Sequence, residues 1–483
     1  MLSGSSPITA CKKKLYVLNP KTPPRSIQTQ RTRRKRRLEP ADPQSLERQV
    51  RQLLADKISG NQVGIWLLLP EHLRLGTWDL LCAWTGASPA SVEPRLALQL
   101  VHEAALCTCS LREGRSLSQK GFELANGLPF VASDPEVHAL LGAHTVQEAE
   151  SLQIALGKLR RASGHFGGHL LAIDPHRLQS YTKRQTRRHR QDNRTKAFKV
   201  LQTFFCLDAQ TAQPLGFHLA SAARTVAQAT PPLLLLAQAI LNVPPDQPRP
   251  LVLADCEHYD HQVVDQVRLQ TPFDLLVPMP QRRGLQARCG ALSESAFTPR
   301  WAGYATAKQP WTLSGSTTGP GYHLIQRSGE KPGEYFYKSF FATGDRPELL
   351  DLTEHYPDRW HIEEFFKFNQ ALGWQRAGTL NLNIRYGQMS LALVAQALLH
   401  QLRQRLGPPF AQWDAQHFAD NLFGGLEGAV QVTDDTIVVT YYNAPNVENL
   451  RKHYENLPAK LAAEGVNPQI PWLYNYKLDF RFL

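Results

Sequence analysis

The chain has 483 residues, 42% of them hydrophobic, enough to bury a sizeable core and to build two to four domains. Its seven cysteines are odd in number, scattered and without a CxxC pair, which argues against a disulfide scaffold or a cysteine-based zinc or redox centre and leads us to expect reduced thiols in a cytoplasmic protein. The net charge is +12, but residues 1–40 hold eleven Lys/Arg against one Glu, so that arm carries +10 and the rest of the chain only +2.

Residues 1–40 form a basic arm, expected to be disordered, whose RTRRKRR stretch suits a polyanion held through counterion release. The opening MLSGSSPITACKKK has no apolar core of a signal peptide. The longest aliphatic run, Leu233 to Leu236, is far too short for a bilayer, so no membrane partner is expected. Residues 41–161 read as an α-helical N-terminal domain, with amphipathic stretches such as LERQVRQLLADKI and VEPRLALQLVHEAAL between Gly/Pro/Ser breaks. Such a domain either binds DNA ends or simply packs; no helix-turn-helix spacing decides between the two.

Beyond Gly164 the texture changes to apolar and β-branched runs in the order strand, strand, strand, helix, strand: GHLLAIDPHRL, AFKVLQTFFCLDA, QPLGFHLASA, TPPLLLLAQAIL and RPLVLADCEHY. Three strands joined by short turns give an antiparallel meander. A strand arriving after a crossover helix lies parallel to the first. The expected fold class is α/β, a ribonuclease H-like mixed sheet flanked by helices, over residues 162–280 and 343–430. Residues 281–342, with GYHLIQRSG and GEYFYKSFFATG, read as a β-rich insertion, and residues 431–483 as a C-terminal hairpin and tail.

Two acids stand where an apolar strand hands over to a polar loop: Asp174 in HLLAID and Asp255 in PLVLAD. If the strands are neighbours, their carboxylates meet at one sheet edge. Hard oxygen ligands of this kind suit Mg²⁺ or Mn²⁺, and two such ions about 4 Å apart can activate a hydroxyl and stabilise the leaving oxygen of a phosphodiester. Either Asp alone is more simply a turn former or helix N-cap. The third element is YPDRWHIEEFFKFNQ, where Tyr356, Arg359, Glu363 and Gln370 fall at offsets that share one face of a helix begun by Pro357. Taken alone, Arg359 and Glu363 are an ordinary i,i+4 pair worth about 0.3–0.5 kcal/mol.

Together these residues resemble the Tyr-x2-Arg-x3-Glu-x6-Lys signature of DDE transposases from bacterial insertion sequences, the two Asp-bearing strands falling where that family has its first two acids. The resemblance covers about 200 residues and implies a ribonuclease H-like core with a β-rich insertion between the second Asp and the Glu. It assigns Asp174, Asp255 and Glu363 as catalytic and metal residues, two Mg²⁺ or Mn²⁺ ions per site, Arg359 as a phosphate clamp and Tyr356 as a backbone-positioning group. It implies double-stranded DNA as partner, both the element's inverted repeats and the target, a homodimer on paired ends, and a prokaryotic cytoplasm or nucleoid. Where the family has Lys this chain has Gln370, and Lys367 one turn earlier is the candidate substitute. Glu364 would point about 100° away from Glu363.

After Asp174 comes a second basic cluster, with nine Lys/Arg between Arg177 and Lys199 opposed only by Asp192. Lys183, Arg184, Arg187 and Arg188 are read as a phosphate track beside the site, with Tyr181 and His189 as stacking partners. No GxxxxGK[ST], HExxH or GxSxG motif competes, and GSTTGPG reads as a hairpin turn. The same acids would equally serve an endonuclease that never joins strands, and the missing Lys would suit a catalytically inactive DNA-binding derivative.

Overall fold

Helix starts in the first third of the chain are written as side-chain caps. The helices are α1 (Pro43–Ala55), α2 (Leu69–Leu75), α3 (Thr77–Thr85), α4 (Val92–Ala105), α5 (Lys120–Ala125), α6 (Asp134–Ala143) and α7 (Val146–Ala162), with a short strand, β1 (Ile58–Gly60), after α1. Asp42 accepts the Ser45 N–H, and Ser133 with Glu136 and Thr145 with Glu148 form capping boxes. This computed structural model describes residues 42–483 apart from 61, 109–119, 181–187, 190–195, 222–223 and 374–380. The compact unit that holds them is Ala41–Leu483, and the basic arm lies outside the described residues.

The main sheet grows from β2 (Leu170–Gln179), whose HLLAI run has no polar face because both faces are covered: Leu170 and Ala172 enter one core, Leu171 and Ile173 the other. Gly168, at φ +79, turns the chain into it and donates its N–H to Asp208. Then follow β3 (Arg188–His189), β4 (Phe198–Asp208), β5 (Gln213–Ser221), helix α8 (Val226–Leu241), β6 (Leu251–Leu253), helix α9 (His261–Gln270) and β7 (Asp274–Pro278). The order β5-β4-β2-β6-β7, with β4 antiparallel to β2 and β5 and with β6 and β7 parallel to β2, is the ribonuclease H-like arrangement.

Pro231 and Pro232 sit inside α8 without ending it. A proline lacks the N–H that would bond four residues back, and here the carbonyl left over by Pro232, that of Gln228, accepts the Arg224 guanidinium at 3.0 Å instead.

The insertion does not stand apart. Helix α10 (Arg283–Gly290) and strands β8 (Thr298–Trp301), β9 (Tyr304–Trp311), β10 (Gly321–Ser328) and β11 (Phe336–Ala342) form an antiparallel meander, and β11 pairs with β7, so the meander prolongs the main sheet. GSTTGPG is the β9–β10 connection. Asp265 of α9 pins it by accepting from Ser316 Oγ at 2.6 Å, Thr318 Oγ1 at 2.7 Å and the Thr317 N–H at 2.9 Å.

One face of the sheet packs on α8 and α9. The other packs on α11 (His361–Asn369) and α12 (Leu382–Leu406), the latter buried along 17 of its 25 residues, as a helix through the middle of a domain must be. Helices α4 and α7 pack on α12 in turn. At the far end, β12 (Gly428–Thr433) and β13 (Thr436–Tyr441) form the expected hairpin, extended by β14 (Lys477–Phe482) parallel to β13 and by β1 against β12. Buried bonds from Tyr441 Oη to Val63 O at 2.9 Å and Trp472 Nε1 to Ala125 O at 3.0 Å fasten this C-terminal sheet to the N-terminal helices. No helix among the described residues is long and apolar enough to cross a membrane, and Cys82, Cys206, Cys256 and Cys289 are free thiols.

Candidate active site

Backbone register brings the first two acids together. Strands β2 and β6 pair with Leu170 opposite Leu251, Leu171 opposite Val252 and Ala172 opposite Leu253, and the same offset sets Asp174 against Asp255 two residues past the end of the pairing. Neighbouring strands run about 4.8 Å apart. Alternation puts both side chains on the face of Ala172 and Leu253, the face covered by α11. Both carboxylates are about one quarter exposed.

The third acid arrives on that covering element. Glu363 lies in the first turn of α11, which is anchored by buried Ile362 and Phe365, by rings of Phe365 and Phe366 against Phe205 at 5.6 and 5.3 Å, and by Phe366 stacked on His176 at 4.4 Å. Arg359 joins the two elements: Nη1 is 3.6 Å from Asp174 and Nη2 is 3.7 Å from Glu363. Since both nitrogens belong to one planar fork, those two carboxylates lie within roughly 10 Å of each other. Among the described residues no three His, Cys, Asp or Glu side chains are close enough to hold one ion, and Glu363 stands across the Arg359 guanidinium from Asp174.

The expectation of a single helix begun by Pro357 needs correcting. A π-helical turn, Asp351–His355, comes first, then a 3₁₀ turn, Pro357–Trp360, and only at His361 does α11 begin. The π turn is held by buried Asp351, which accepts from Arg346 Nε at 3.1 Å and His355 Nδ1 at 2.8 Å. Gln370 falls outside α11, in the 3₁₀ turn Gln370–Leu372 that follows Asn369. It is exposed, as is Lys367 one turn before it on α11. Glu364 is 4.0 Å from His361 Nε2, on another side of the helix from Arg359.

Tyr356 reaches across to β6, its Oη donating to Ala254 O at 3.5 Å and its ring edge-on to Phe340 at 4.8 Å. Asp255 is the N-cap of a 3₁₀ turn: its Oδ1 accepts the Glu257 N–H at 3.1 Å and His258 Nδ1 at 2.6 Å. Arg177 closes the rim with a two-pronged pair to Glu257, Nη1 to Oε1 being 2.9 Å, and donates Nε to Gln202 at 3.1 Å. Sequence reasoning missed His176, Arg177, Glu257 and His258; the only signal was a basic or aromatic residue two or three places after each Asp.

The field follows from this layout. Burial, and then the charge of Asp255, push the Asp174 carboxyl up to about 7 against the pull of Arg359 and Arg177, with Glu363 adding to the rise. Burial acts on Asp255 in the same direction, but the His258 bond, the Glu257 N–H and Arg359 outweigh it and hold that carboxyl below its ordinary value. Two like carboxylates side by side thus sit in a site short of positive charge.

Of the basic track, Arg188 lies exposed in β3, its backbone paired with Lys199 of β4. Lys183, Arg184 and Arg187 lie outside the described residues, as do Tyr181 and Asp192.

Residues 165–398 match the family described as the transposase DDE domain, and this span contains all three acids with Tyr356 and Arg359. Among solved structures, the piggyBac transposase synaptic complex with hairpin DNA aligns at a TM-score of 0.39 and 12% identity, over 76% of this chain and 82% of that one. No curated protein matches the chain.

Proposed function

We propose, from the match of residues 165–398 to the transposase DDE domain family, that this chain cuts and joins DNA with Asp174, Asp255 and Glu363 as its catalytic acids. The observation that carries the reading is the register of β2 and β6, which sets Asp174 beside Asp255 on the face covered by the Glu363 helix. The donor set is entirely carboxylate, which suits Mg²⁺ or Mn²⁺, and the rise of Asp174 toward neutrality marks a place where a cation would relieve repulsion. Two divalent ions, when bound, supply the polarisation that makes a hydroxyl nucleophilic and eases departure of the leaving oxygen.

The chain's own residues do the rest. Asp174 and Asp255 would hold the ions from the sheet, Glu363 would be the third acid to do so, and Arg359 would turn its fork to the DNA phosphate. Tyr356, tied to Ala254, keeps that fork level with the end of β6. A water oxygen then attacks the phosphorus and the bond to the 3′ oxygen breaks, leaving a 3′-hydroxyl that attacks a target phosphodiester in the same way. Lys183, Arg184, Arg187 and Arg188, with Lys367 and Gln370, are assigned to the flanking backbone, and a homodimer on paired inverted repeats in a prokaryotic cytoplasm is the assembly we assign.

The test uses duplexes carrying the genomic flanks of the reading frame. Asp255→Ala and Glu363→Gln are expected to bind these duplexes as wild type does and to lose cleavage; cleavage that survives either change overturns the reading. Gln370, in place of the signature Lys, favours examining two weaker activities. Hydrolysis without joined products identifies an endonuclease, and binding without any cutting in Mg²⁺ or Mn²⁺ identifies an inactive derivative.

A further inference from the structure

We infer that His258 is a positioning residue for the reaction: its imidazole occupies one oxygen of Asp255 so that the other oxygen is presented to a divalent ion. The inference rests on the reading of Asp255 as an ion ligand given above. His258 is 1% exposed and its Nδ1 lies 2.6 Å from Asp255 Oδ1. A carboxylate facing a short contact of this kind only accepts, so Nδ1 carries the proton.

The 3₁₀ turn does not need this bond. Its N-cap is already satisfied by the Glu257 N–H at 3.1 Å, which falls on the same Oδ1. Both donors converge on Oδ1, and among the described residues no donor is placed on Oδ2. A carboxylate restrained in this way offers its other oxygen, Oδ2, in one direction.

The turn is also held from outside. Arg177 of β2 grips Glu257 with both prongs of its guanidinium, and Trp311 of the insertion donates Nε1 to Tyr259 Oη at 3.1 Å. His258 is therefore fixed on both sides and cannot follow Asp255 if that side chain rotates. Ions that demand ligand distances near 2.1 Å bind poorly to a carboxylate free to swing, and partners that orient a ligand carboxylate are worth about 10–100-fold in affinity.

The experiment titrates the full chain with Mn²⁺ in the absence of DNA, following free ion by electron paramagnetic resonance, and measures duplex binding separately in chelator. His258→Ala is expected to weaken Mn²⁺ binding about 10–100-fold with duplex binding unchanged, and His258→Asn, whose side-chain N–H can reach the same oxygen, to recover most of the loss. A His258→Ala affinity within about twofold of wild type overturns the inference, as does a His258→Asn protein no better than His258→Ala. Should His258→Ala fail to fold, His258→Leu takes its place in the comparison with His258→Asn. Asp255→Asn separates the two levels: if it keeps wild-type Mn²⁺ affinity, the reading of the acids fails; if it loses the ion while His258→Ala does not, only the positioning role fails.

Discussion

Asp174 and Asp255 are delivered by two adjacent strands of one sheet, whereas Glu363 is delivered by a helix that starts only after a π turn and a 3₁₀ turn. The two strands are locked by paired backbone and by side chains buried on both faces. The helix leaves its acid 45% exposed, against a guanidinium rather than against the other acids. On the function proposed above, the sheet pair would be in place beforehand and Glu363 would have to be brought in, which would separate ion capture from completion of the site.

The largest effects should break that comparison at its two ends. Glu363→Gln is expected to lower cleavage by at least about 10²–10³-fold, the scale set by removing one preorganised electrostatic partner, while leaving a first Mn²⁺ bound to the sheet pair. Asp255→Asn is expected to lose both cleavage and that first ion. Equal loss of Mn²⁺ binding in the two variants, measured without DNA, contradicts the division into a preformed pair and a mobile third.

Next in size is the anchor of the helix. Phe365 is 2% exposed and meets Phe205 of β4 edge-on, so Phe365→Ala leaves a hole between helix and sheet. A cost of about 3–5 kcal/mol in unfolding free energy is expected, readable by denaturant titration. A loss under about 1 kcal/mol would mean that the helix does not depend on this contact and that Glu363 is placed by the preceding turns alone.

The Asp174 carboxyl sharpens the comparison through pH. Its native value is raised from the ordinary 3.8 to about 7, so between those values the folded chain binds more protons than the unfolded one. Stability from this group therefore falls as pH rises through that window and levels off above it. In chelator, Asp174→Asn is expected to stabilise the chain by about 1–3 kcal/mol at pH 8 and by little or nothing near pH 4. An equal gain at both pH values would assign the effect to packing instead of charge.

Much of this was legible because it is local. HLLAID and PLVLAD announce the buried strands that carry the acids, although β2 runs on past Asp174 to Gln179 where the sequence suggested a loop, and their order around TPPLLLLAQAIL dictates the antiparallel and parallel pairings. What stayed hidden depends on distant partners. The β11–β7 pairing that merges the insertion into the main sheet spans only Leu276 to Pro278 against Phe340 to Ala342, too short for a periodic signal. Strand β1 is three residues long and takes its identity from β12, more than 360 residues away. The π turn arises because Asp351 finds Arg346 and His355 once it is buried. His258 and the Arg177–Glu257 pair read as ordinary loop residues until β2 and β6 become neighbours.

The smallest expected effect tests whether the preformed pair owes its rigidity to the strands or to the rim. Arg177 and Glu257 form a two-pronged pair, but Glu257 is 41% exposed, and a pair so open to water and salt contributes about 0–1 kcal/mol. Glu257→Gln should therefore shift the unfolding free energy by no more than about 1 kcal/mol, and by less still in high salt, with Mn²⁺ affinity unchanged because Asp255 keeps both donors on Oδ1. The Glu257 N–H that caps the turn belongs to the backbone and survives the substitution. A loss well above 1 kcal/mol, or one that salt leaves untouched, would show that the strand ends lean on the rim for their geometry, and the contrast between a rigid sheet edge and a mobile helix would then have to be drawn one residue further out.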